Sequence, residues 1–87
     1  MKLFIFKPSD QWDYCGGGLV VVASDFEMVK DVILESNYKN RDCVERFVLY
    51  KTENKSNKDV YSWVLVDVFE VDANENERVV TLDYNWA

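Results

Sequence analysis

The sequence predicts an α+β fold: an antiparallel sheet of about five strands with one helix packed on one face, in the chain order β-β-α-β-β-β. Three observations predict it. Period-two runs of β-branched and aromatic residues recur along the chain, at Lys2–Phe6, Glu45–Lys51, Val60–Val71 and Arg78–Tyr84. A continuous apolar run, Leu19–Ala23, reads as an interior strand covered on both faces. Only one segment, residues 25–36, carries a 3.6-residue apolar period. A sheet with a single amphipathic helix has one stable solution in two layers, helix on sheet.

The first strand, Lys2-Leu3-Phe4-Ile5-Phe6, is stopped by Pro8, which cannot donate to a ladder. Residues 7–16 read as a polar and aromatic loop. It contains Trp12-Asp13-Tyr14-Cys15 and leads into Gly16-Gly17-Gly18, which are all the glycines of the chain. Three consecutive glycines weaken a regular element by roughly 0.5–1 kcal/mol each relative to alanine. The run therefore asks for a reason of geometry. Gly17–Ala23 reads as the second strand. Ser24 followed by Glu27 gives a capping-box pattern that starts the helix. Phe26, Val29, Val32 and Ile33 fall on its apolar stripe, with Met28 at the margin. Lys30, Asp31 and Glu35 fall opposite, and Ser36-Asn37 ends it.

Residues 38–44 are polar and irregular. Glu45–Lys51 reads as a strand, with a short helix over 41–47 as its competitor. Residues 52–59 are a turn. Along Val60–Val71, Trp63, Leu65, Asp67 and Phe69 share one face. Asp67 interrupts it, which calls for a bulge or a buried partner. Asp72–Glu77 is an acidic turn. Arg78–Tyr84 closes the sheet, and the chain ends Tyr84-Asn85-Trp86-Ala87.

Eighty-seven residues make a single domain, 1–87, with no internal repeat. At 48% apolar and 15% aromatic, the chain carries enough ring surface to offset its small size. The net charge of −6 is unevenly spread. Residues 1–51 hold seven Lys/Arg and eight Asp/Glu, whereas residues 52–87 hold three and eight. An acidic balance repels phosphates, so direct nucleic-acid binding is disfavoured and a basic protein partner is favoured by steering. The same charge also serves plain solubility. No secretory leader and no membrane-length apolar run is visible, so a cytoplasmic protein with reduced Cys15 and Cys43 is expected.

The chain has no histidine, which removes the commonest general base and metal ligand. Two cysteines separated by 27 intervening residues do not make a zinc site. Neither an enzyme nor a cofactor or metal protein is expected. The glycine run matches neither phosphate-binding signature, because no Lys-Ser/Thr follows and a strand, not a helix, comes next. A nest of glycine N–H groups holding a nucleotide remains an alternative, as does a phage structural or regulatory protein dimerising through an edge strand. Four large rings stand out in the aromatic loop and at the terminus: Trp12, Tyr14, Tyr84 and Trp86, with Asp10, Asp13 and Asp83 beside them. Either Trp86 packs over Gly16–Gly18, or these rings anchor a basic partner.

The stretch Trp12-Asp13-Tyr14-Cys15-Gly16-Gly17-Gly18, its apolar strand through Ala23, the Ser24-x-x-Glu27 cap and the Tyr-Asn-Trp end resemble small phage and mobile-element proteins. The first twenty or so of these residues are similar to the N-terminal third of a type II-C anti-CRISPR family. That resemblance implies a phage-encoded inhibitor, acting in the cytoplasm of the infected bacterial host. It implies stoichiometric binding to the nuclease domain of Cas9, or to another basic defence nuclease, by a monomer or homodimer. The implied contacts are Asp13, Tyr14 and Cys15 in the loop, with Asp72, Glu75 and Glu77 in the acidic turn as a second patch; Trp12, Gly16, Tyr84 and Trp86 join them as candidate partner contacts from the aromatic and glycine pattern itself.

Overall fold

A computed structural model describes residues 1–8, 14–36, 48–52 and 62–86, with the side chains of 14–17 and 83–86 left aside. Its elements in chain order are β1 (Lys2–Pro8), β2 (Tyr14–Ala23), α1 (Phe26–Leu34), β3 (Val48–Tyr50), β4 (Ser62–Glu70) and β5 (Arg78–Trp86). The five strands form one sheet in the spatial order β3-β4-β1-β2-β5. The class is α+β.

The sheet is mixed, which corrects the wholly antiparallel expectation. β1 pairs antiparallel with β2 and β4, and β2 pairs antiparallel with β5, but β3 runs parallel to β4. Nor does the spatial order follow the chain. A turn at 52–59 suggests a hairpin, and a hairpin is antiparallel. A connection as long as residues 51–61 approaches the length that lets a chain return to the same end and pair in parallel. Side-chain alternation is the same in both directions, so periodicity carries no information on which occurs.

The core lies between the sheet and α1. Phe4 and Phe6 of β1, Leu19, Val21 and Ala23 of β2, Trp63 of β4 and Leu82 of β5 are buried against Val29, Val32 and Ile33 of the helix. Phe26 closes one end: its ring centroid lies 6.3 Å from that of Phe4 and 6.1 Å from that of Phe6. Lys51, just past β3, sets its ammonium 5.2 Å from the Phe26 centroid and 3.5 Å from Glu27 Oε1, pinning β3 to the first turn of the helix.

Several element boundaries differ from expectation. β1 continues through Pro8, which pairs with Trp63 of β4, while its register with β2 ends at Phe6↔Leu19. A proline in a strand is tolerated where no ladder donor is needed. β2 begins at Tyr14, so Tyr14, Cys15 and Gly16 are strand and not loop. Asp25, not Ser24, is the N-cap of α1: Asp25 is extended at φ −153°, and its Oδ1 accepts from the Met28 N–H at 3.0 Å. At the other end Ser36 Oγ donates to the Ile33 carbonyl at 2.6 Å. β5 extends to Trp86. β3 lies within the strand predicted over Glu45–Lys51; the first three residues of that stretch, the competing helix over 41–47, Cys43 and most of the 52–59 turn lie outside the described residues.

Two bulges set which side chains face the helix. Along β4 the register with β1 slips between Ile5↔Asp67 and Phe6↔Leu65, leaving Val66 as the extra residue. Trp63 and Leu65 therefore lie on the helix side, and Asp67 and Phe69 on the other. The interruption at Asp67 is thus resolved by a bulge, with the carboxylate exposed. On β5 the slip between Val20↔Thr81 and Val21↔Val79 leaves Val80 extra, so Val79 and Leu82 share the helix side. Strict alternation along an unbroken strand would place them on opposite faces.

Candidate functional site

The register gathers one set of the sequence-predicted residues and separates the other. At one end of the sheet Tyr14 is the cross-strand partner of Trp86. Gly16, Gly17 and Gly18 pair with Asn85, Tyr84 and Asp83. The aromatic stretch and the aromatic terminus, remote in sequence, are thus adjacent strands. Cys15 is the residue skipped between Tyr14 and Gly16, at a third bulge. Trp12 and Asp13 lie outside the described residues.

The same pairing revises the glycine run. Gly16–Gly18 form part of the β2–β5 ladder, so their backbone is strand and not a loop wrapped round an anion. The register sets Trp86 against Tyr14, and the strip of bare backbone lies beside Asp83–Asn85. A Cβ added at Gly18 would meet the Phe6 carbonyl oxygen at 3.6 Å, an ordinary contact. Close approach of backbone is therefore not what glycine supplies there.

Asp72, Glu75 and Glu77 lie at the opposite end. Residues 71–77 join β4 to β5 and must cross the ends of β1 and β2, which lie between those strands in the sheet. The turn organises itself. Asp72 Oδ1 accepts from the Asn74 N–H at 2.9 Å, and the Asp72 carbonyl accepts from the Glu75 N–H at 3.0 Å. Arg78 Nη1 donates to Glu75 Oε2 at 2.9 Å and to the Asn76 carbonyl at 3.0 Å. Two of the three carboxylates are therefore engaged within the turn, and Glu77 is exposed. Counting along β2 from Tyr14 to Val22, the partner of Arg78, the two ends are about 26 Å apart at a strand rise of about 3.3 Å per residue.

Sequence reasoning missed a third surface. β3 covers β4 only at Ser62, Trp63 and Val64, which are buried. Beyond them burial stops abruptly: Val66 is 58% exposed, Val68 39% and Phe69 48%. The one signal of this in the sequence is that Asp67 and Glu70 sit inside an otherwise apolar strand.

Among the described residues no three His, Cys, Asp or Glu side chains are grouped to hold a metal ion. No helix among them is long and apolar enough to cross a membrane. No family model, no curated protein and no solved structure matches the chain.

Proposed function

We propose that this chain is an anti-CRISPR-like, phage-encoded inhibitor that blocks a basic defence nuclease by stoichiometric binding in the cytoplasm of the infected bacterium. It acts without catalysis and without a cofactor. The observation that carries the reading is the pairing of Tyr14 with Trp86. It unites into one end of the sheet the aromatic stretch that resembles the type II-C anti-CRISPR family and the aromatic end of the chain. Tyr and Trp supply much of the energy of protein interfaces, and a net charge of −6 steers the chain towards a basic surface. The glycine ladder supports this reading over a nucleotide-binding loop.

The test is DNA cleavage by a purified type II-C effector with increasing amounts of the chain. Cleavage falls to background near equimolar protein, and a stable complex elutes by size exclusion. Replacing Tyr14 and Trp86 together by Ala restores cleavage while the circular dichroism spectrum stays folded. Undiminished cleavage at a large excess, with no complex, defeats the proposal for that class of target.

A further inference from the structure

The open edge of β4 offers a site that the proposed target contacts do not use. The Val71 N–H donates to the Met1 carbonyl at 3.1 Å, which makes Met1 and Val71 a hydrogen-bonded pair. Antiparallel pairs alternate, so Leu3↔Phe69 and Ile5↔Asp67 exchange bonds across the β1–β4 ladder, and the backbone groups of Val68 and Glu70 point away from β1. On that side no described strand continues past Val64. The Val68 N–H has been met locally: Asp67 Oδ1 accepts it at 2.9 Å. A carboxylate thus stands where the carbonyl of an adjoining strand would stand.

Around this edge exposed apolar side chains, Val66, Val68 and Phe69, are interspersed with two acids, Asp67 and Glu70. Val68 lies on the helix side and Phe69 on the other, so a strand laid alongside could cover both. The whole stretch from 59 to 77 contains six acids, Asp59, Asp67, Glu70, Asp72, Glu75 and Glu77, and no Lys or Arg. A second copy of β4 would bring its own carboxylates and nothing to neutralise them. The complementary occupant is an extended segment alternating basic and β-branched residues.

We infer that the outer edge of β4, Val66–Glu70, is a β-augmentation site that adds an extended basic strand from a partner protein as a further strand of the sheet. On docking, a carbonyl of the incoming strand takes the Val68 N–H. The released Asp67 carboxylate, on the face away from the helix, pairs the Lys or Arg side chains of that strand, while its β-branched side chains cover Val68 on the helix side. The inference does not depend on the partner being a defence nuclease.

It is tested by amide exchange in the isotope-labelled full chain, titrated with a capped hexapeptide alternating Lys and Val and with its Glu/Val counterpart. The Lys/Val peptide saturably slows exchange at Val68 and Glu70, and the Glu/Val peptide does not. The change Asp67→Lys weakens the first peptide roughly tenfold and lets the second bind. Val68→Pro removes an outward N–H that the β1 ladder does not use, so the protein stays folded and binding is lost. If that variant unfolds, the charge swap alone decides. Three results overturn the inference: no slowing on β4, equal slowing by both peptides, or Val68 and Glu70 protection that rises with protein concentration in the absence of peptide, which would assign the edge to a second copy. Nuclease inhibition with no peptide effect would spare the proposed function and sink this site alone.

Discussion

Gly18 is the residue at which the glycine run is most open to experiment. It lies in an interior strand, opposite Asp83, and its backbone is not in the left-handed region. Among the described residues, the added methyl of Gly18→Ala would meet only the Phe6 carbonyl oxygen, at 3.6 Å. With no strain to offset it, the loss of unfolded-state freedom stabilises by about 0.4–1 kcal/mol. For a domain of this size that raises Tm by about 2–6 °C, readable by thermal melting. A fall in Tm would show that the strand needs glycine here for a reason other than space. Glycine identity was legible in the sequence as an anomaly. Its structural setting was not, because a ladder partner more than sixty residues away leaves no local mark.

At the scale of elements, the helix shows what sequence pattern resolves and where it slips. The buried stripe Val29, Val32 and Ile33, with Phe26 and Met28 packed beside it, is the one that the 3.6-residue period marks out. Its start is displaced by one residue, because Ser24 and Asp25 are both good caps and only the backbone decides between them. Asp25→Ala therefore destabilises by about 1 kcal/mol, the usual worth of an N-cap, while Ser24→Ala changes stability by less than about 0.5 kcal/mol. Urea denaturation of the two variants checks this, and a reversed order would return the cap to Ser24. The strands were legible as strands for the same reason, since alternation and β-branching are local. Their faces were not wholly legible. A bulge at Val66 or Val80 adds one residue and reverses every face beyond it, and nothing at those positions differs from an ordinary strand residue. Asp67 was the exception, because a carboxylate on an apolar face signals that the face has changed.

For the whole molecule, the sheet order β3-β4-β1-β2-β5 decides which candidate contacts can act together. Sequence placed Tyr14, Trp86, Asp72 and Glu77 on equal terms, since it shows neither pairing nor distance. Placing β5 beside β2 joins Tyr14 to Trp86, and leading the 71–77 connection across the far end of the sheet puts the acidic turn about 26 Å away. A standard interface covers about 800 Å² on each partner, a patch roughly 30 Å across. One centred on the aromatic end reaches about 15 Å from it and leaves the acidic turn outside the contact. The two groups then act on different rates. If the proposed function holds, Trp86→Ala removes an anchoring ring and raises the dissociation rate of the proposed complex by more than about tenfold. Glu77→Lys changes a charge outside the contact, so it lowers the association rate, flattens its salt dependence and leaves dissociation within about twofold. Sites this far apart share no partner group, so the double variant loses the sum of the two effects to within about 0.5 kcal/mol. Surface plasmon resonance at two salt concentrations reads all three quantities. A coupling above about 1 kcal/mol, or a larger dissociation effect from Glu77→Lys than from Trp86→Ala, would move the anchor from the aromatic end of the sheet to the acidic one.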